Sequence, residues 1–171
     1  MLKVIYGEIA EADTDVIVNA ANGCGWMGGK RCRNELRRGV AEHLNFYTKG
    51  ALEEEAVRAA RRSPRIPALF RGQEPGGFFT TPPCGLHCKE VIHAVTMRYP
   101  GHRSRLENIR SVLSKIFLYC KSAGFRDIAI PYLGCGTGGL DREDVHALLE
   151  EADGLFPDLN ILVYDLAPGT D

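Results

Sequence analysis

Apolar residues along this chain recur with two different spacings. Short runs rich in β-branched and aromatic residues, at 2–6, 16–20, 78–80, 90–96, 127–131 and 160–166, read as strands. Stretches with apolar positions three and four apart, or of helical composition, read as helices over 30–38, 51–62 and 104–122 and after Asp141. The pattern over 104–122 is the most regular. Leu106, Ile109, Val112, Leu113, Ile116, Phe117 and Cys120 share one face, Ser104 and Glu107 form a capping box, and Gly124 is the stop. In the last helix Asp141 is the cap, Val145, Leu148, Leu149 and Ala152 are the buried face, and Gly154 is the stop. The first two strands, joined through a polar turn at 13–15, read as a pair. The stretch 63–77, broken by prolines and glycines, reads as a surface connection.

Two glycine-rich segments punctuate this pattern. In D-V-I-V-N-A-A-N-G-C-G-W-M-G-G-K, residues 15–30, a buried strand runs into Asn19 and Asn22 and then into almost bare backbone at Gly23, Gly25, Gly28 and Gly29. A second loop, 134–139, lies between the 127–131 strand and the helix capped by Asp141. Such a turn before a helix exposes backbone N–H groups and a positive dipole end, which suits an anion such as phosphate. The first loop lacks the lysine and hydroxyl spacing of a nucleotide P-loop, and Gly23, Gly25 and Gly28 only approximate dinucleotide-binding spacing. Both loops follow strand C-termini, where open α/β sheets bind nucleotides, and so can close over one ligand.

These blocks resemble the macrodomains, which bind ADP-ribose. The likeness is carried by Gly7-Glu8-Ile9, by Val16 to Asn22 with its glycine loop, by Val91-Ile92-His93, and by P-Y-L-G-C-G-T-G-G-L at 131–140. It spans nearly all of the chain. The resemblance implies one macrodomain over 1–171, folded as a three-layer α/β/α sandwich around a mixed, mostly parallel sheet, with ADP-ribose across the sheet's C-terminal edge. By carry-over, Glu8 and Ile9 meet the adenine, with Asp165 and Leu166 nearby. Gly28, Gly29 and the loop Gly134, Cys135, Gly136, Thr137, Gly138, Gly139 cradle the diphosphate. Asn22 reaches the distal ribose, where an amide offers both donor and acceptor to vicinal hydroxyls; its other reading is as the cap of its own turn. His93, alone on its strand, reads as a hydrogen-bonded interior residue.

Composition narrows the partners. Lysine plus arginine at 21 nearly cancels aspartate plus glutamate at 22, so net charge gives no indication of a nucleic-acid polymer as partner. The basic run Lys30, Arg31, Arg33, Arg37 and Arg38 reads mostly as a solvated face, with one or two members near the loop adding to phosphate attraction. The apolar run at the N-terminus is too short for a signal peptide, and no stretch suits a membrane span, so a cytoplasmic protein with six reduced cysteines is expected. Cys84, His87 and Cys88, with Cys24 and Cys32, are thiolate and imidazole groups in an irregular C-x-x-H-C spacing, and neither metal nor cofactor is expected.

The chemistry is less direct. In hydrolysing macrodomains of the MacroD type an Asp stands ten positions beyond the last Asn of N-A-A-N; that position here is Cys32. A second subgroup uses a lysine in the helix after the first loop and has an Asp in the second loop. This chain shares Met27-Gly28 and Gly134-Cys135-Gly136 with it but has Gly138 at the Asp position, with Lys30 and Asp141 the nearest residues of the right type. The remaining route is substrate-assisted: the diphosphate and Asn22, the candidate catalytic residue, position a water at the anomeric carbon. Cys32 and Cys135 read as loop packing. The sequence thus supports a hydrolase of an ADP-ribose derivative, acting in de-ADP-ribosylation of protein or nucleic acid or in O-acetyl-ADP-ribose deacetylation. The alternative is a non-catalytic ADP-ribose-binding module. A dinucleotide-dependent oxidoreductase would need a Rossmann fingerprint and a substrate domain.

Overall fold

Six strands form one sheet in the computed structural model, which describes residues 1–37, 39–61 and 72–165. They are β1 (Leu2–Tyr6), β2 (Val16–Asn22), β3 (Phe78–Thr81), β4 (Glu90–Met97), β5 (Asp127–Pro131) and β6 (Asn160–Asp165), in the spatial order β1-β6-β5-β2-β4-β3. All neighbours are parallel except β3, which runs antiparallel to β4 at one edge. The helices are α1 (Gly29–Cys32), α2 (Val40–Tyr47), α3 (Ala51–Ala60), α4 (Leu106–Ala123) and α5 (Arg142–Leu155), and a 3₁₀ turn, Ile9–Glu11, follows β1.

The layering follows from alternation along buried strands. Val16, Val18, Ile92, Ile128 and Ile130 point to the face covered by α4 and α5. Ile17, Val91, Val95 and Ala129 point to the other face, where Leu44 of α2 and Leu52 and Ala56 of α3 pack. The result is the three-layer α/β/α sandwich. No helix among the described residues is long and apolar enough to cross a membrane.

Four local expectations are corrected. The first two strands are not partners: β6 and β5 lie between them. The uninterrupted apolar run of β2 needs cover on both faces and takes the centre, whereas β1, with exposed residues among its five, suits an edge. The 30–38 helix is only one turn. After Cys32 the chain turns away, Arg33 pairs with Glu54 (3.1 Å) and Glu53 (3.7 Å), and a separate, unanticipated helix begins at Val40. The capping box of α4 does not form, because the backbone N–H of Ser104 donates to Gly138 O (3.0 Å) and holds that residue beneath the second glycine loop; Arg105 becomes the uncapped N-cap. Gly154 does not stop α5, which continues to Leu155. Two other ends form as expected. Asp141 Oδ1 accepts from the Glu143 N–H at 2.8 Å, and Gly124 closes α4 at φ 76°.

His93 is an interior residue, as read from the sequence. It is fully buried, its ring stacks on Phe79 at 4.8 Å, and its nitrogens meet Asn19 Nδ2 (3.1 Å) and Thr81 Oγ1 (2.9 Å). An amide nitrogen only donates, so Nδ1 accepts from Asn19 and the Nε2 N–H donates to Thr81.

Candidate functional site

A cavity of about 650 Å³ opens where β1, β2, β4, β5 and β6 end, a volume within the range of small-ligand sites. β1, β2 and β5 each pass directly into a loop that the sequence singles out, and β6 brings Asp165 to the same edge, so the parallel sheet gathers distant motifs there. Glu8, Ile9, Asn22, Gly134 to Gly138 and Asp165 all line the cavity. Gly28, Gly29 and Gly139 do not, and Leu166 lies outside the described residues.

The second loop turns free backbone donors to the cavity. Its turn is closed by Cys135 N–H to Tyr132 O (3.3 Å), Gly139 N–H to Gly136 O and Leu140 N–H to Gly134 O (both 3.0 Å). The N–H groups of Gly136, Thr137 and Gly138 donate to no acceptor among the described residues, and all three residues border the cavity. Three consecutive unpaired donors form a concave nest for oxygen atoms. Gly139 instead closes the loop from behind, with the Arg103 side chain against it. Burial pushes the Cys135 thiol up to about 11, so it stays protonated and packs the loop.

The first loop differs from the expectation. Its donors are already satisfied from within: Met27 N–H (2.7 Å) and Gly29 N–H (2.8 Å) both donate to Glu53 Oε2, a buried carboxylate of α3. Asn45 of α2 binds the carbonyls of Met27 (2.9 Å) and Gly29 (3.2 Å). Glu53 therefore occupies the position that the glycine pattern assigned to a diphosphate. Three members of the basic run are likewise engaged internally, since Glu35 pairs with both Arg31 and Arg37 and Glu53 and Glu54 pair with Arg33; Arg38 lies outside the described residues. Glu53→Ala leaves one buried and one partly buried N–H group without an acceptor and is expected to cost about 2 kcal/mol, read as a lower urea midpoint. Unaltered stability would show that this clamp is dispensable.

Asn22 sits at a register shift between β2 and β4 that aims it out of the ladder. Its Oδ1 accepts from the N–H groups of Cys24 (3.1 Å) and Trp26 (3.3 Å), and its Nδ2 donates to Trp26 O (2.8 Å). The amide thus caps its own turn, leaving one N–H without a partner among the described residues and no free acceptor. The ring of Trp26, held by this turn, is 46% exposed at the rim.

At the opposite sequence ends of the site, two carboxylates are paired. Glu8 Oε2 meets His43 Nδ1 at 2.5 Å, and this hydrogen bond raises the imidazole above its ordinary range despite burial. Asp165 pairs with Arg142, whose guanidinium lies over the Tyr132 ring at 5.0 Å from the centroid. Sequence reasoning missed His43 because α2 was unseen. It missed Arg142 although its place directly after the Asp141 cap put it in the first turn of α5, beside the loop.

Known proteins share the sequence pattern and the fold. The family model described as Macro domain matches residues 18–149. The DNA ADP-ribosyl glycohydrolase of Mycobacterium tuberculosis is 27% identical over 170 residues, covering 99% of this chain and 44% of that protein. An uncharacterized protein of Aquifex aeolicus is 35% identical over 151 residues, covering 88% of this chain and 79% of that one. Among solved structures, the macrodomain of M. tuberculosis DarG superposes with a TM-score of 0.78 at 25% identity, covering 98% of this chain and 99% of that one. The Oceanobacillus iheyensis macrodomain with ADP gives 0.77 at 19% identity over 98% of this chain and 84% of that one. This chain therefore spans less than half of the mycobacterial glycohydrolase's length. With the family model matching well over half of its residues, and the sheet order and cavity edge in place, the chain belongs to the macrodomain family.

Proposed function

We propose that the cavity binds ADP-ribose and that the protein hydrolyses the bond joining its distal ribose to an acceptor. The observation that carries this reading is the row of unpaired N–H groups at Gly136, Thr137 and Gly138 on the cavity wall. Neutral backbone donors hold a diphosphate without a long flexible cation and exclude bulky side chains from its path. In this reading the adenine lies toward Glu8, Ile9 and Asp165, and the distal ribose lies toward Asn22, where the diphosphate and the remaining Asn22 N–H help to place a water. The acceptor is a protein side chain or a nucleic acid, or, in O-acetyl-ADP-ribose, the bond cleaved is the ester to a ribose hydroxyl, with water adding to the acetyl carbonyl and the hydroxyl leaving; the names of the mycobacterial and Thermus aquaticus relatives, DNA ADP-ribosyl glycohydrolases, support including DNA. A nucleophilic thiol has no support, since burial keeps both Cys135 and Cys32 above the ordinary thiol range.

Titration calorimetry with ADP-ribose, AMP and NAD tests the binding half, with a clear preference for ADP-ribose expected. Equal or absent binding of the three would overturn it. Release of ADP-ribose from an ADP-ribosylated oligonucleotide, an ADP-ribosylated peptide or O-acetyl-ADP-ribose tests the hydrolytic half. Binding without release would leave a non-catalytic ADP-ribose-binding module.

A further inference from the structure

A diphosphate carries negative charge that neutral backbone donors orient but do not balance. Among the described residues that line the cavity, the cationic side chains are His43 and Arg142. His43 is engaged by Glu8 in a contact where both side chains are largely covered. Arg142 differs. Its side chain is 57% exposed, whereas that of its partner Asp165 is 12% exposed. A guanidinium has five N–H donors, and among the described residues this one makes a single side-chain hydrogen bond, from Nη2 to Asp165 Oδ1. Most of its donors are therefore available to a ligand.

Its place is fixed from two sides. Arg142 opens α5 directly after the Asp141 cap, so it follows the second loop by a few residues. The guanidinium lies over the ring of Tyr132, 5.0 Å from the centroid, and the carbonyl of that tyrosine takes the Cys135 N–H that closes the loop. After burial, which raises the Cys135 thiol, the Arg142 charge is the largest influence on it and acts in the opposite direction, so the cation is felt within the loop. On the other side Asp165, at the end of β6, draws the guanidinium toward the adenine end of the function proposed above, on which this inference rests. A cation stacked on one side and paired on the other is no flexible arm, and it has little freedom left to lose when a ligand arrives. It links the adenine end of the cavity to the Gly136–Gly138 donors.

We infer that Arg142 is a binding residue for the diphosphate of ADP-ribose: its guanidinium supplies the positive charge beside the Gly136, Thr137 and Gly138 N–H groups, and Asp165 and Tyr132 hold it there. The other duty open to Arg142 is to tie α5 to β6 through Asp165. An ion pair with so exposed a partner contributes little to stability, so Arg142→Gln is expected to fold with a urea midpoint close to that of the wild type. The two duties differ in what salt does to them. Attraction between an exposed cation and a phosphate weakens as ions screen it, whereas packing on Tyr132 does not.

The experiment is titration calorimetry of the whole chain with ADP-ribose at about 0.05 M and about 0.5 M sodium chloride, between which screening of an exposed charge rises sharply. In Arg142→Gln the affinity at low salt is expected to fall about 30-fold, within the range for loss of a charged hydrogen-bond partner. The gap to the wild type should narrow to under about tenfold at high salt. Arg142→Lys keeps the charge without the planar fork, and its affinity at low salt should lie between the two. A loss below about tenfold at low salt overturns the assignment. So does a loss that is equal at both salt concentrations, or a lysine variant no better than the glutamine one, either of which would leave Arg142 as a tie between α5 and β6. A wild type that fails to bind ADP-ribose brings down the proposed function itself, a result distinguishable from these because it appears before any variant is compared.

Discussion

Replacing Gly136 by tryptophan should abolish ADP-ribose binding while leaving the protein folded. Gly136 lies on the cavity wall as the first of three consecutive unpaired donors, and its φ is not in the left-handed region. A Cβ there meets no atom within 4 Å, so the side chain enters open space and strains nothing in the empty protein. That space is the approach of a ligand to the Gly136, Thr137 and Gly138 N–H groups. Affinity should fall by at least about 100-fold, roughly 2.7 kcal/mol, because a blocked nest leaves the diphosphate's charge without its donors. The neighbouring Gly138 serves as the contrast. Its added Cβ would collide with Ser104 Oγ and stand 2.5 Å from Gly134 O, so Gly138→Ala should lower stability as well as binding. Calorimetry and urea unfolding on both variants separate a site glycine from a packing glycine. A folded Gly136→Trp protein with wild-type affinity would show that the ligand does not pass this loop.

The sequence disclosed the framework through features that are local in kind. Val16-Ile17-Val18 and Ile128-Ala129-Ile130 are apolar on both faces, which only a central parallel strand tolerates, and their loops necessarily emerge at the same sheet edge. The second glycine loop was legible for the same reason, since its own backbone supplies the donors. The first loop was not. Its glycines suggested free N–H groups, yet the carboxylate that satisfies them arrives from Glu53, 24 residues downstream of Gly29, on a different helix. Nothing in the spacing of glycines tells an internal anion from a bound one. The pairs Glu8–His43 and Arg142–Asp165 were hidden similarly, each joining residues that only the tertiary fold brings together. Helix α2 was lost because Gly39 and a mixed apolar and aromatic run obscured its period, and with it went His43 and Asn45.

Stability should peak near pH 6.5 and fall on the acid side because of one residue, His93. Burial lowers its imidazole from 6.5 to about 3, since Nδ1 is already an acceptor for Asn19 and no carboxylate faces it to hold a charge. Above pH 6.5 the ring is neutral in both folded and unfolded chains and costs nothing. Below that, the unfolded chain takes up a proton that the folded one refuses, so stability falls by up to about 1.4 kcal/mol per pH unit until the folded ring also titrates near pH 3. His43 has the opposite sign: its bond to Glu8 raises the folded value, so its contribution is complete below pH 6.5 and is lost as pH rises through that raised value. The two histidines together place the maximum between their titrations. Urea unfolding at half-unit steps from pH 8 to 4.5 should show this peak in the wild type. His93→Gln can keep one acceptor toward Asn19 and one donor toward Thr81 without a titrating group, and its acid limb should flatten while the alkaline limb remains. Parallel acid limbs in wild type and His93→Gln would mean that other groups, not the buried imidazole, govern acid unfolding.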